Sequence, residues 1–105
     1  SSLAFATNHG LPRSLALVST RPAEGKSSTS FALASVIART GKRVLLIDAD
    51  MRSPSIHGML GLENTGGLSN VLAGEREWGR LVQASPYGNL SVMSAGPAPP
   101  SAAEL

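Results

Sequence analysis

The chain has 105 residues, no cysteine and a formal net charge of +2 at pH 7. A hydrophobic content of 42% with 15% charged residues is that of one small globular domain and excludes an intrinsically disordered chain. The basic residues form no run or stripe, which argues against a nucleic-acid partner, and no apolar stretch approaches the ~20 residues that span a bilayer.

The first predicted elements are a strand, a helix and a second strand. Leu15 to Ser19 is apolar on both faces, which predicts a central, buried strand. Apolar residues at three- and four-residue spacing predict a helix from Lys26 to about Arg39, with Gly41 as its C-terminal stop. Arg43 to Ile47 predicts another buried strand, so the two strands should be parallel with a right-handed crossover. The predicted apolar face of the helix consists of Phe31, Leu33, Ala34, Ile37 and Ala38.

The second half of the chain predicts shorter elements and one more strand. A short helix is predicted from Ser55 to Leu60, and another from an N-capping Ser69 to Leu72, closed by Gly74. Trp78 to Val82 is predicted as a short amphipathic segment and Leu90 to Ser94 as the third strand. The prediction is therefore an α/β fold with a sheet of three strands.

The loop between the first strand and the helix carries Gly25, Lys26 and Ser27. A strand, a loop with these residues and a helix are typical of a phosphate-binding loop, which offers backbone N–H groups and the positive end of a helix to polyphosphate. Gly25 lets the backbone approach the phosphates without a Cβ in the way. Lys26 supplies an ammonium group for the outer phosphates, and Ser27 supplies a hydroxyl for a magnesium ion.

Two carboxylates follow the second strand. Asp48 and Asp50 lie at the carboxyl edge of the predicted sheet, which is the edge where open α/β sheets bind ligands. Residues i and i+2 of an extended strand share a face, so both carboxylates could address one cation. The alternative is that Asp48 ends the strand and Asp50 caps a turn. Next to a phosphate-binding loop, a magnesium site is favoured.

These motifs resemble those of a known family. The similar segments are Pro22-Ala23-Glu24-Gly25-Lys26-Ser27-Ser28, Asp48-Ala49-Asp50-Met51-Arg52, Pro54, His57 and Gly67-Leu68-Ser69. They resemble the cytoplasmic ATP-binding domain of bacterial tyrosine kinases, which work in capsule and exopolysaccharide export. The resemblance implies a P-loop NTPase-type three-layer parallel sheet with flanking helices. It also implies that residues 1–105 are the N-terminal part of a single kinase domain, truncated at both ends.

The resemblance implies a role for each site residue. Lys26 binds the β- and γ-phosphates of ATP, and Ser27 ligates Mg²⁺. Asp48 and Asp50 hold or orient the metal, and one of them helps to accept the tyrosine proton. The residues implied to contact the nucleotide are Pro22, Ala23, Glu24, Gly25, Lys26, Ser27, Ser28 and Arg52.

The resemblance also implies partners and a location. ATP and Mg²⁺ are the implied cofactors, and the tyrosine-rich tail of a neighbouring subunit is the implied phosphate acceptor. A membrane chain-length-determinant (co-polymerase) protein or domain is the implied partner of a homo-oligomer on the inner face of the bacterial plasma membrane. A third nucleotide motif is expected beyond Leu105, so the fragment alone is expected to be inactive.

Two alternatives stay open at this point. A partitioning or cell-division type P-loop ATPase would have a second lysine where Arg21 stands, and a Gly-Gly pair in place of Pro22-Ala23. Thr20 also stands where the strict phosphate-loop pattern has glycine. The other alternative is a non-catalytic nucleotide-sensing interaction module. The sequence favours the kinase over the partitioning type ATPase and leaves the sensing module open.

Overall fold

A computed structural model describes residues 15–20 and 27–98. Its elements in chain order are β1 (Leu15–Ser19), α1 (Ser27–Arg39), β2 (Arg43–Ile47), α2 (Ile56–Leu60), α3 (Leu68–Leu72), a 3₁₀ helix (Trp78–Leu81), β3 (Val82–Ala84) and β4 (Leu90–Met93). None of the helices in this part of the chain is long and apolar enough to cross a membrane. The predicted α/β class with a mainly parallel sheet is confirmed.

The strands form one sheet in the order β1-β2-β4-β3. β1 and β2 are parallel, as are β2 and β4, while β3 is antiparallel to β4. Leu17 lies opposite Leu45, and Leu46 lies opposite Val92, so the registers of the parallel strands are aligned. As a result β1, β2 and β4 all end at the same edge of the sheet. The predicted parallel arrangement around α1 is confirmed.

Helix α1 agrees with its predicted bounds where it is described. It begins at Ser27 and ends at Arg39, while Lys26 lies outside the described residues. Gly41 follows with a φ of +96°, and its N–H donates to the carbonyl of Ala38 at 3.0 Å. Glycine reaches this left-handed backbone region without a steric penalty, so the predicted C-terminal stop is confirmed.

The prediction that β1 is central in the sheet stays a prediction, because the structure describes only residues 15–20 and 27–98. Within the described part of the chain it is an edge strand, next to β2 only, and its first three residues are half-buried. Val18 is the member of β1 that enters the core. An apolar run indicates that a strand has two faces to bury, but it carries no information on which neighbouring strand pairs with each side.

The sheet has four strands, so the prediction of three is wrong. The missed strand is β3, and the predicted amphipathic segment from Trp78 to Val82 is a 3₁₀ helix that runs directly into it. A strand of three residues with Gln83 at its centre is too short to show a two-residue period. The strand predicted from Leu90 to Ser94 is β4, and it ends at Met93.

The core lies between the helices and one face of the sheet. Ala34 and Ala38 of α1 are buried against it, and their small side chains let the helix approach the strands closely. Leu33 is 53% exposed, so its predicted place on the apolar face is wrong, because the buried stripe follows the Ala34–Ala38 row. The buried cluster consists of Val18, Ala34, Ala38, Val44, Leu46, Ile56, Leu60, Leu90 and Val92.

Helix α3 begins two residues earlier than predicted. Its flanking residue is Gly67, so the prediction of Ser69 as N-cap is wrong. Ser69 lies inside the first turn, and its hydroxyl donates to the Pro97 carbonyl at 2.8 Å. The side chain of Asn70 accepts the Gly67 N–H at 2.8 Å instead. A serine near a helix start therefore serves here as a tertiary contact.

Candidate active site

The carboxyl edge of the sheet is continued by two polar residues. Thr20 follows β1, and its N–H donates to the Ile47 carbonyl at 2.9 Å. Asp48 follows β2, and its N–H donates to the Met93 carbonyl at 2.9 Å. The strand ladders thus extend one residue beyond the strands. This pairing fixes the backbone positions of Thr20 and Asp48 side by side.

Asp48 is fully buried and accepts four hydrogen bonds. Its Oδ1 accepts the Thr20 hydroxyl at 3.3 Å and the Asp50 N–H at 3.1 Å. Its Oδ2 accepts the N–H groups of Ser55 and Ile56 at 3.0 and 3.1 Å. Four donors match the roughly four lone-pair sites of a carboxylate, and they offset the cost of burying it. The segment from residue 49 to residue 56 therefore folds around this one side chain.

Thr20 is a site residue to which sequence reasoning assigned no role. It is 4% exposed, and its hydroxyl both donates to Asp48 and accepts the Ala49 N–H at 2.8 Å. The threonine that replaces the usual glycine of a phosphate loop thus ties the end of β1 to the segment after β2. The departure from glycine was the available signal, because a side chain at that position needs a partner.

Ser27, the first residue of α1, is connected to the segment that surrounds Asp48. Its hydroxyl forms a hydrogen bond with the hydroxyl of Ser55, whose N–H donates to Asp48. The structure therefore connects Ser27 to Asp48 through Ser55, the second residue that the sequence did not single out. Ser55 precedes a helix, and sequence alone assigns such a serine to capping.

The other predicted site residues are distributed as follows. Asp50 is half-buried, and its Oδ1 accepts the Ser53 N–H at 3.0 Å. Arg52 is exposed on the same segment, and Ser28 is exposed in the first turn of α1. Pro22 to Lys26 lie outside the described residues. The contacts of these residues with a nucleotide stay a prediction.

The oxygen ligands available at this edge fit a magnesium ion. Ser27, Asp48 and Asp50 offer hydroxyl and carboxylate oxygens, the ligand type that Mg²⁺ prefers. Within residues 15–20 and 27–98 no cluster of three acidic, histidine or cysteine side chains could hold a metal ion. That also fits, because Mg²⁺ is commonly held by one or two carboxylates together with phosphate oxygens and water. The oxygens of Asp48 already accept four donors, so Asp48 suits orienting the site better than direct ligation.

A cavity of about 530 Å³ lies at the other end of the sheet. Leu15, Arg43 and Leu90, the first residues of β1, β2 and β4, contribute to its lining together with Trp78. This amino end of the strands is remote from the carboxyl edge that holds Asp48. The cavity therefore does not belong to the candidate site.

Comparison with known proteins assigns the chain to a family. A family profile described as ParA, an NUBPL iron-transfer P-loop NTPase, matches residues 11–102. This match covers most of the chain and includes the loop after β1 and the paired acids after β2. The chain belongs to this P-loop NTPase family. The iron transfer in that description refers to the named protein.

Among P-loop NTPases, the chain resembles bacterial tyrosine kinases. It is 45% identical over 104 residues to the tyrosine-protein kinase YwqD of Bacillus subtilis, a match that covers 99% of this chain and 44% of that protein. It is 39% identical over 104 residues to the tyrosine-protein kinase wzc of Salmonella typhimurium, covering 99% of this chain and 14% of that protein. The chain thus spans less than half the length of these curated relatives.

Solved structures agree with the sequence matches. The kinase domain of the Escherichia coli tyrosine kinase ETK superposes with a TM-score of 0.69 at 32% identity, covering 95% of this chain and 41% of that one. The BceF tyrosine kinase domain superposes with a TM-score of 0.63 at 36% identity, covering 98% of this chain and 40% of that one. The resemblance to bacterial tyrosine kinases and the P-loop NTPase fold are confirmed.

Proposed function

We propose that this P-loop NTPase chain is the ATP-binding part of a bacterial protein-tyrosine autokinase. The observation that carries the nucleotide site is the contact between the first turn of α1 and the segment anchored by Asp48. It supports one site made of the phosphate loop and the paired acids. The names of the relatives support tyrosine as the acceptor.

The phosphate-binding side of the site is formed by the loop and the beginning of α1. In this proposal residues Pro22 to Ser28 surround the phosphates, the backbone N–H groups come from the residues after Pro22, and Gly25 leaves room for them. Lys26 neutralises charge on the β- and γ-phosphates. Arg52, exposed on the segment after β2, supplies a further positive charge to the nucleotide.

The metal-binding side is formed by hydroxyl and carboxylate oxygens. When bound, Mg²⁺ neutralises charge on the phosphate oxygens. Ser27 and Asp50 would hold it, and Asp48 would orient it, because both oxygens of Asp48 are occupied by four donors. Asp50 keeps the less occupied carboxylate, so we assign to it the acceptance of the tyrosine proton.

The reaction is a phosphoryl transfer. A new bond forms between the tyrosine oxygen and the γ-phosphorus, the bond from that phosphorus to the β,γ-bridging oxygen breaks, and ADP leaves. The phenolic proton moves to Asp50 or to water. Because this transfer needs little covalent work from the protein, positioning and charge neutralisation supply most of the catalysis.

The acceptor in this proposal is the tyrosine-rich tail of a neighbouring subunit in a homo-oligomer. A membrane co-polymerase would hold the kinase at the inner face of the plasma membrane, where phosphorylation regulates polymerisation and export of exopolysaccharide or capsule. The support for a second component is a structural neighbour described as a chimerical protein, CapA2B2 (TM-score 0.67, 32% identity, 86% of this chain and 40% of that one).

The proposal is tested by replacing Lys26 in the full-length protein. We expect Lys26→Ala to abolish ATP binding and tyrosine phosphorylation, measured by nucleotide titration and by detection of phosphotyrosine with Mg²⁺ and ATP. Lys42→Ala is the matched control, because Lys42 is exposed in the turn after α1 and should keep both properties. Unchanged ATP affinity in Lys26→Ala would refute the phosphate-loop assignment.

The same assay separates the kinase from the two alternatives. ATP hydrolysis by the wild-type protein without phosphotyrosine would favour a partitioning type ATPase. Nucleotide binding with neither hydrolysis nor transfer would favour a nucleotide-sensing module.

A further inference from the structure

Ser55 occupies a capping position but does not cap. It precedes α2, where a serine side chain commonly accepts an N–H of the first helical turn. The Ser55 side chain forms no such hydrogen bond. Its hydroxyl is directed to the hydroxyl of Ser27 instead. The beginning of α2 must therefore be satisfied by another group.

Asp48 takes over the capping of α2. Its Oδ2 accepts the N–H of Ser55 and the N–H of Ile56, at 3.0 and 3.1 Å. These are among the donors that a helix start leaves without an intrahelical partner. A buried carboxylate 7 residues earlier in the chain thus binds the N–H groups of the N-cap residue and of the first helical residue, which differ from the two that an N-cap hydroxyl usually binds. Asp48 therefore fixes the Ser55 backbone, while the Ser55 hydroxyl pairs with the first residue of α1.

The contact with Ser55 constrains how Ser27 can present its oxygen. A serine hydroxyl has one proton to donate and two lone pairs. If Ser27 donates its proton to Ser55, its lone pairs remain free to face a cation. Without an acceptor at Ser55, the same proton can point toward the cation, and the side chain can leave the required rotamer.

We propose that Ser55 is a positioning residue for Ser27, holding its hydroxyl in the orientation that binds the Mg²⁺ of the nucleotide complex. This inference rests on the proposed function, because it takes Ser27 as a metal ligand. Ser55 acts through Ser27 and does not itself contact the metal. Asp48 contributes indirectly, by capping α2 and fixing the Ser55 backbone.

The test measures how strongly ATP binding depends on Mg²⁺. In the full-length protein, ATP affinity is titrated with saturating Mg²⁺ and again in EDTA, and the ratio of the two affinities is compared between variants. Ser55→Ala removes the hydroxyl but keeps the N–H that Asp48 accepts. Ser53→Ala is the matched control, since Ser53 is exposed on the same segment and its backbone N–H is retained.

We expect Ser55→Ala to lower the ratio about three- to ten-fold, the effect of one hydrogen bond, while the affinity in EDTA stays unchanged. Ser53→Ala should leave the ratio at the wild-type value. Ser55→Thr keeps the hydroxyl and should restore most of the ratio. In a Ser27→Ala background, Ser55→Ala should have no further effect, because the two residues act as one unit.

Three results would overturn the inference. The first is a Ser55→Ala ratio equal to that of Ser53→Ala. The second is an equal loss of affinity with and without Mg²⁺, which would make Ser55 a structural residue. The third is a folded Ser55→Thr variant that loses the ratio as Ser55→Ala does. A wild-type protein without Mg²⁺-dependent ATP binding would refute the proposed function itself, and so the two failures are distinguishable.

Discussion

Two neighbouring strands, β2 and β4, end at the same edge of the sheet, but the chain leaves them in different ways. After β2 the backbone wraps around a buried carboxylate, Asp48, which accepts four donors. After β4 it is held by neutral groups. The Ser94 and Ala95 carbonyls accept N–H groups from α3, and the Asn64 side chain bonds both the N–H and the carbonyl of Gly96.

The exit after β4 has no space for a side chain at two of its glycines. A Cβ on Gly67 would lie 1.9 Å from the Ser94 carbonyl oxygen, and a Cβ on Gly96 would lie 2.4 Å from the Ser69 hydroxyl. The exit after β2 instead places three backbone N–H groups and the Thr20 hydroxyl around a charge, and the Ser27–Ser55 pair of hydroxyls lies beside it. The comparison teaches that one exit is held by close packing and neutral hydrogen bonds, while the other surrounds a buried charge beside the proposed ligand site.

The largest expected effect comes from removing the carboxylate of the β2 exit. Asp48→Ala leaves three backbone N–H groups and the Thr20 hydroxyl without their acceptor. Each unsatisfied buried donor costs about 1–3 kcal/mol, so we expect the free energy of unfolding to fall by about 3 kcal/mol or more. Urea unfolding measures this loss.

Asp50→Ala is the control for that prediction. The Asp50 side chain accepts one N–H, from Ser53 on an exposed part of the segment, so its loss should cost less than about 1 kcal/mol. Equal losses in the two variants would contradict the central place given to Asp48.

In Asp48→Asn, which preserves the shape of the side chain, we expect weaker Mg²⁺-dependent ATP binding. An unchanged Mg²⁺ requirement would make Asp48 purely structural.

The next largest effect tests the tight packing of the β4 exit. Gly67→Ala forces a methyl group against the Ser94 backbone carbonyl, and overpacking of this kind typically costs about 1–3 kcal/mol. Gly58→Ala is the matched control, because a Cβ on Gly58 within α2 meets no atom within 4 Å. Thermal unfolding should show a loss for the first variant and none for the second. A stable Gly67→Ala protein would mean that this exit can adjust.

A smaller effect is expected at Asn64. Asn64→Ala removes both hydrogen bonds to Gly96, whose distances are 2.8 and 3.1 Å, and should cost about 1–2 kcal/mol. Glu63→Ala, one residue earlier, keeps its backbone contacts to Gln83 and should stay within about 0.5 kcal/mol of the wild type. Because Asn64 bonds the segment after β4 and, among the described residues, forms no hydrogen bond with Asp48, Ser55 or Ser27, the Mg²⁺ dependence of ATP binding should not change. A changed dependence would remove the distinction between the exits.

The smallest effect is expected away from both exits. Arg80 pairs with Glu77 at 3.4 Å, and both side chains are more than two-thirds exposed. Arg80→Ala should change the free energy of unfolding by less than about 0.5 kcal/mol, because solvent screens such pairs. This variant supplies the baseline for the urea measurements. A loss comparable to that of Asn64→Ala would show that the free energy of unfolding does not distinguish exposed contacts from buried ones in this protein.

Elements with a clear period were predictable from sequence. The bounds of β1 and β2 agree with the predicted strands, and α1 ends where Gly41 indicates. β3 was missed because three residues around Gln83 show no period. The exposure of Leu33 was missed because hydrophobicity does not identify which neighbour covers a residue.

The candidate site was predictable in its residue types but not in its connections. The sequence indicated Ser27 and Asp48 from their place after a loop and a strand. It did not indicate Thr20 or Ser55, because their partners lie 28 residues away in the chain. Local rules assign such hydroxyls to turns and caps. Tertiary structure is needed to show that a carboxylate binds the first N–H groups of α2 and that the Ser55 hydroxyl pairs with Ser27.

The most direct test of the account is to locate the metal in a crystal of the full-length protein with a non-hydrolysable ATP analogue. Mn²⁺ in place of Mg²⁺ gives an anomalous signal that marks the metal position. The account predicts a peak that has the Ser27 hydroxyl and a phosphate oxygen in its coordination shell, beside the segment anchored by Asp48. A nucleotide-bound metal at the amino ends of β1 and β2, or one remote from Ser27, would contradict it.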